Sequence, residues 1–122
     1  MGAVPTFGAV ALDCPDPVAL AEFYRELLDW EAADVAADGH WVTLRNPEGG
    51  ARFSFQRVPD YRPPAWPSAE NPQQAHVDLD VTDLEAGHER ALAIGAKLLD
   101  DSPETFRVYA DPAGHPFCLC AC

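Results

Sequence analysis

The chain ends in HPFCLCAC, which places Cys118, Cys120 and Cys122 at every second position. Thiols at that spacing could be soft metal ligands, redox partners or simply one face of a strand. On a strand, residues two apart lie ~6.6 Å from each other and point the same way. That separation is at the far edge of what a disulfide spans, and the Cβ vectors run parallel. The three thiols are therefore expected not to bond to one another. Structural zinc sites usually take ligands from turns with CxxC spacing, and the sequence has none. Cys120 and Cys122 read as small buried hydrophobes.

His76 opens a second candidate stretch, HVDLDV. With a period of two, Asp78 and Asp80 share its face. Paired carboxylates beside an imidazole can do acid–base work. The alternative is a solvated strand face, which would carry His76 to solvent with them. A nucleophilic pair of Cys118 and His76 needs a third group and an oxyanion donor set, and neither is evident. Of the other histidines, His115 follows DPAG and is read as capping that turn. His88 on a helix and His40 in the loop ADGH are read as facing solvent.

Secondary structure must position these groups, and the chain repeats itself. At an offset of 67, Val10, Leu12, Asp13 and Asp16 fall on Val77, Leu79, Asp80 and Asp83. At an offset of 65, Pro47 and Gly49 fall on Pro112 and Gly114. Each half reads as strand, helix, strand, turn, strand. FGAVALDC and AHVDLDV alternate or run apolar, as half-buried strands do. Asp16 is an N-cap followed by Pro17 at the first helical position. Leu20, Phe23, Tyr24, Leu27 and Leu28 then recur at three and four, giving one apolar helix face. Asp83 caps the second helix, Glu85 suits its dipole, and Gly95 stops it. Leu84, Ala91, Leu92 and Ile94 are expected on its buried side. NPEGG and DPAGH are turns joining HWVTLR to ARFSFQRV and TFRVYA to HPFCLCA. Between the halves, the prolines of 59–73 forbid helix and central strand. That linker is expected to be packed down by Tyr61 and Trp66.

The 122 residues fit one domain, and a 48% hydrophobic composition allows a real core. The net charge of -12 repels phosphates, so nucleic acid and anionic membrane are excluded as partners. No apolar run approaches the ~20 residues of a membrane span. The start, MGAVPTFGAVALD, lacks a basic n-region and a long apolar h-region. The expected location is the cytoplasm, where thiols stay reduced.

Two such halves resemble the vicinal oxygen chelate superfamily of glyoxalases, bleomycin-resistance proteins and extradiol dioxygenases. The likeness is carried by LDCPDPVALAEFY, AHVDLDVTDLEAGHERALAIGA and YADPAGHPFCL and covers nearly the whole chain. It implies an α+β fold in which two βαβββ modules, 5–58 and 74–122, form a cupped mixed β-sheet within one domain, 1–122. It also implies a ligand cleft and a homodimer. In the metal-dependent branches, ligands come from the first and last strands of each half. The resemblance assigns those positions to His76 and Cys118 in the second half. In the first it assigns them to Ala9 and to Ser54 or Gln56, with that register open. On this count no cofactor is expected. The alternative is a divalent ion (zinc, iron, manganese or nickel) on His76, Cys118 and Gln56.

The expected function is binding of a small organic molecule without the usual complete metal site. The cleft residues expected for it are His76, Cys118, Gln56, Trp41, Phe55, Phe106 and Tyr109. The alternative is a metal-dependent lyase or dioxygenase with an altered ligand set centred on His76.

Overall fold

The computed structural model describes residues 2–31 and 33–121. The chain divides into two compact units, Met1–Tyr61 and Arg62–Cys122. The first holds β1 (Ala9–Cys14), α1 (Pro17–Leu28), β2 (Asp34–Val35), β3 (Trp41–Leu44) and β4 (Arg52–Arg57). The second holds β5 (Val77–Asp80), α2 (Leu84–Ala93), β6 (Lys97–Asp100), β7 (Phe106–Ala110) and β8 (Pro116–Cys120). Each unit is thus a βαβββ module with its own four-stranded mixed sheet. The strand orders are β1-β4-β3-β2 and β5-β8-β7-β6. In each unit the first strand runs parallel to the last, and the remaining neighbours are antiparallel.

Local sequence explains the elements. The Asp16 carboxylate accepts the Ala19 N–H at 3.2 Å, and the Asp83 carboxylate accepts that of Ala86 at 3.1 Å. Both satisfy donors that a helix start would otherwise leave unpaired. Helix α1 ends at Asp29, whose φ of 56° is the left-handed cap conformation. Its inner face buries Leu20, Phe23 and Tyr24. The Tyr24 ring lies 4.8 Å from that of Phe53 and 5.7 Å from that of Phe55. This aromatic cluster and Val42 and Leu44 make the first core. Helix α2 is less apolar and buries only Ala91 among its residues. Leu92, expected on the buried side, is 41% exposed. The second core is built by Tyr109, Phe117 and Leu119, with Tyr109 and Phe117 stacked at 5.4 Å.

Residues 58–76 contain neither helix nor strand. The Asn71 side chain donates to the Pro63 carbonyl, and the Ala65 N–H donates to the Asn71 carbonyl at 2.6 Å. No helix is long and apolar enough to cross a membrane.

The C-terminal thiols differ from expectation. Cys14 and Cys118 are free, whereas Cys120 is disulfide-bonded. The strand-spacing objection to a disulfide holds only inside a strand, and β8 ends at Cys120. Cys122 lies outside the described residues.

Candidate functional site

Strand register decides which side chains share a face, because paired residues project to the same side of a sheet. In the second unit Asp78 pairs with Cys118, and Val108 pairs with Cys118 from the other side. Together with His76, one step before β5, they lie on the face that carries no helix. The imidazole, carboxylate and thiol donor atoms of His76, Asp78 and Cys118 all fall within 4.8 Å of one another. His76 Nε2 is 3.0 Å from Asp78 Oδ1. The His76 and Asp78 side chains are 40% and 63% exposed, while Cys118 is buried. Burial pushes the Cys118 thiol up to about 11, and the negative charge of Asp78 adds to it. The thiol is therefore a neutral group at neutral pH, not a nucleophile.

The same register fixes the counterpart in the first unit. Ala11 pairs with Ser54 as Asp78 pairs with Cys118. Ser54, not Gln56, therefore stands where Cys118 stands. Where the second unit has His76, Asp78 and Cys118, the first has Ala9, Ala11 and Ser54. The Ser54 hydroxyl is buried and lies 3.1 Å from the Thr43 hydroxyl, which accepts the Trp41 indole N–H at 3.0 Å. Gln56 is one level further along, paired with Asp13 and Trp41, and exposed.

The expected cleft residues separate accordingly. His76 and Cys118 come together, and Phe106 lies on their face at the level of Cys120, 37% exposed. Trp41 and Gln56 share the helix-free face of the first sheet. Phe55 and Tyr109 do not join these groups. Each alternates to the opposite face, where it is fully buried in its module's core. His88, expected in solvent, is half-buried with Nδ1 2.8 Å from the Tyr109 hydroxyl. His115 joins its turn through the main chain: its N–H donates to the Asp111 carboxylate at 3.0 Å. The part-buried Trp41–Thr43–Ser54 network was missed, although the alternation of WVT and RFSFQ signals its shared face.

This donor set does not fit the four-position metal site that the resemblance implies, because Ala9 has no ligand atom and Ser54 offers one engaged hydroxyl. The His76–Asp78–Cys118 trio by itself has the nitrogen, oxygen and sulfur donors that suit a borderline cation such as zinc.

Comparison with known proteins places the fold. Residues 9–120 match the glyoxalase-like domain family. No curated protein matches the sequence. Solved structures that share the fold include a glyoxalase/bleomycin resistance protein/dioxygenase family enzyme from Burkholderia phytofirmans. It has a TM-score of 0.73 at 16% identity and covers 94% of this chain and 97% of its own. A fosfomycin resistance protein from Listeria monocytogenes, bound to Mn(II) and a dihydroxypropylphosphonic acid, aligns with a TM-score of 0.70 at 14% identity, covering 97% and 90%. An antibiotic-binding protein from a Streptomyces species aligns with a TM-score of 0.63 at 16% identity, covering 98% of both chains. The repeated βαβββ modules and the match across both of them place the chain in the glyoxalase-like domain family of the vicinal oxygen chelate superfamily.

Proposed function

We propose that the protein binds a small organic molecule on the helix-free face of the second unit's sheet and does so without a four-ligand metal centre. The observation that carries this reading is the replacement of His76, Asp78 and Cys118 by Ala9, Ala11 and Ser54 in the first unit. What remains are the features of a small-molecule site: a few polar groups beside apolar area. His76 and Asp78 supply a hydrogen-bonding pair open to a ligand. Phe106 supplies partly exposed aromatic surface on that same face. The solved relatives that bind an antibiotic or a phosphonic acid make a drug-like or metabolite-sized ligand a natural choice for this fold.

A second reading rests on the 4.8 Å clustering of His76, Asp78 and Cys118. In it these three hold a divalent ion, and the protein is a metal-dependent lyase or dioxygenase.

One experiment separates the two. Thermal unfolding of metal-stripped protein is followed across a broad panel of antibiotics and metabolites. A ligand at a hundred times its Kd adds about 2.7 kcal/mol of stability, which moves the midpoint by several degrees. The expected result is such a shift in metal-free protein, reduced in His76→Ala. Stabilisation that appears only after zinc, iron, manganese or nickel is restored, at one ion per chain and lost in His76→Ala, would overturn the first reading in favour of the second.

A further inference from the structure

The first unit carries a polar pocket that the preceding reading does not use. It has a volume of about 430 Å³ and is lined by Asp34, Thr43, Arg45, Asn46, Gly50 and Arg52. It lies at the β3–β4 turn, where the NPEGG segment brings Arg45 and Arg52 to one end of the sheet. Two of the chain's seven arginines thus converge, in a protein whose net charge is -12.

Their hydrogen bonds show what they have left to offer. Arg52 donates Nε to the Gly8 carbonyl at 3.2 Å, and the Arg52 main-chain N–H donates to the same oxygen at 3.0 Å. That bond holds one edge of the guanidinium in place. No carboxylate pairs with it among the described residues. Arg45 meets Asp34 through a single Nε–Oδ2 contact of 3.1 Å, so its Nη groups are not used there. The Asn46 side-chain oxygen is occupied by the Glu48 N–H at 3.0 Å, which leaves the Asn46 amide NH₂ as a donor. The pocket is therefore rich in donors, and the one carboxylate in its lining, Asp34, already sits on an arginine.

We infer that this pocket is an oxyanion site that receives the carboxylate or phosphate group of a small molecule. A guanidinium fork matches the oxygens of such groups in pairs, with a geometry that a lysine ammonium cannot reproduce. Asp34 is the internal stand-in for one edge of that ligand, and it competes for Arg45. Because the Arg45 side chain is 80% exposed, water and salt weaken the attraction, and the affinity falls with ionic strength. All of these residues belong to the first unit, while His76, Asp78 and Cys118 belong to the second. The outcome here is independent of the small-molecule reading above.

The test is an NMR titration of the arginine Nε–Hε signals at constant ionic strength. The probes are inorganic phosphate, acetate and phenyl phosphate, with chloride as the control. Saturable shifts of Arg45 and Arg52 are expected with the oxyanions and not with chloride. Phenyl phosphate binding more tightly than inorganic phosphate assigns the site to an organic ligand, and equal affinity assigns it to the free ion. Arg52→Gln and Arg45→Gln should each weaken binding about fivefold or more, whereas Arg57→Gln, on the same strand but outside the pocket, should leave it unchanged. Asp34→Asn should tighten binding two- to threefold by removing the competitor. Shifts that match those of chloride, or an affinity indifferent to Arg52→Gln in a variant that melts like the parent, would overturn the assignment.

Discussion

Cys118 is buried and stands opposite Asp78 on paired strands, and the thiol keeps its proton. Burial is the larger cause and the carboxylate the smaller, and together they push the thiol to about 11. A folded-state value above the unfolded one means that the neutral thiol favours the fold. This contribution is fully present below the unfolded thiol range of about 8.5 and is lost as pH rises through about 11. That difference corresponds to roughly 3 kcal/mol at most. Urea unfolding between pH 8 and 11 should therefore lose stability more steeply in the parent than in Cys118→Ala. A smaller slope should persist in the variant, because burial also raises Tyr109. Identical slopes would show that Cys118 does not titrate with folding. The period of two placed Asp78 and His76 on one face, and the register brings Cys118 beside them. The same period cannot say which face a helix covers, so Phe55 and Tyr109 were assigned to the wrong side. Adjacent residues on a strand point apart, so Phe55 and Gln56 could not both line one face.

Among the elements, the turns NPEGG and DPAGH look alike in sequence and differ in surroundings. Asp111 is buried, and its carboxylate accepts the N–H groups of Ala113 at 2.9 Å and His115 at 3.0 Å. Gly114 sits in this turn at a φ of 91°, and a Cβ there would come within 2.7 Å of the Pro63 side chain. Gly49, in the matching turn, has a φ of 82° and open space around it. Gly49→Ala therefore meets only backbone strain, about 1 kcal/mol. Gly114→Ala adds a collision with a stiff proline ring and should cost ~2–4 kcal/mol. Equal losses for the two in chemical denaturation would mean that Pro63 yields and the linker is loosely held against its turn. The turns and both helix caps were legible because Asp, Pro and Gly act locally. The contact between Pro63 and the turn was not, because it joins residues far apart in the chain. Tyr61 and Trp66, expected to pack the linker down, are both half-buried.

For the molecule as a whole, the internal repeat made the module architecture readable, since each half runs through the same order of elements. The ligand was not readable, because this fold hosts many chemistries and the deciding residues are few. Charge, by contrast, acts without regard to fold detail, and it supports a prediction of its own. The chain carries -12, and its described ion pairs are mostly exposed. Exposed pairs contribute at most about 1 kcal/mol each, and salt weakens them. Salt also screens the repulsion among the excess carboxylates, which opposes the compact state. The two effects have opposite signs, so a salt series tells which is larger. With so large an excess of one sign, repulsion should win. The melting temperature should then rise by roughly 2–6 °C between 20 mM and 500 mM sodium chloride. Potassium chloride should act alike, since screening depends on ionic strength and not on the ion. A melting temperature that falls with salt would mean that the ion pairs, Arg107 with Glu85 and Arg25 with Glu22 foremost, hold the modules more firmly than their exposure suggests.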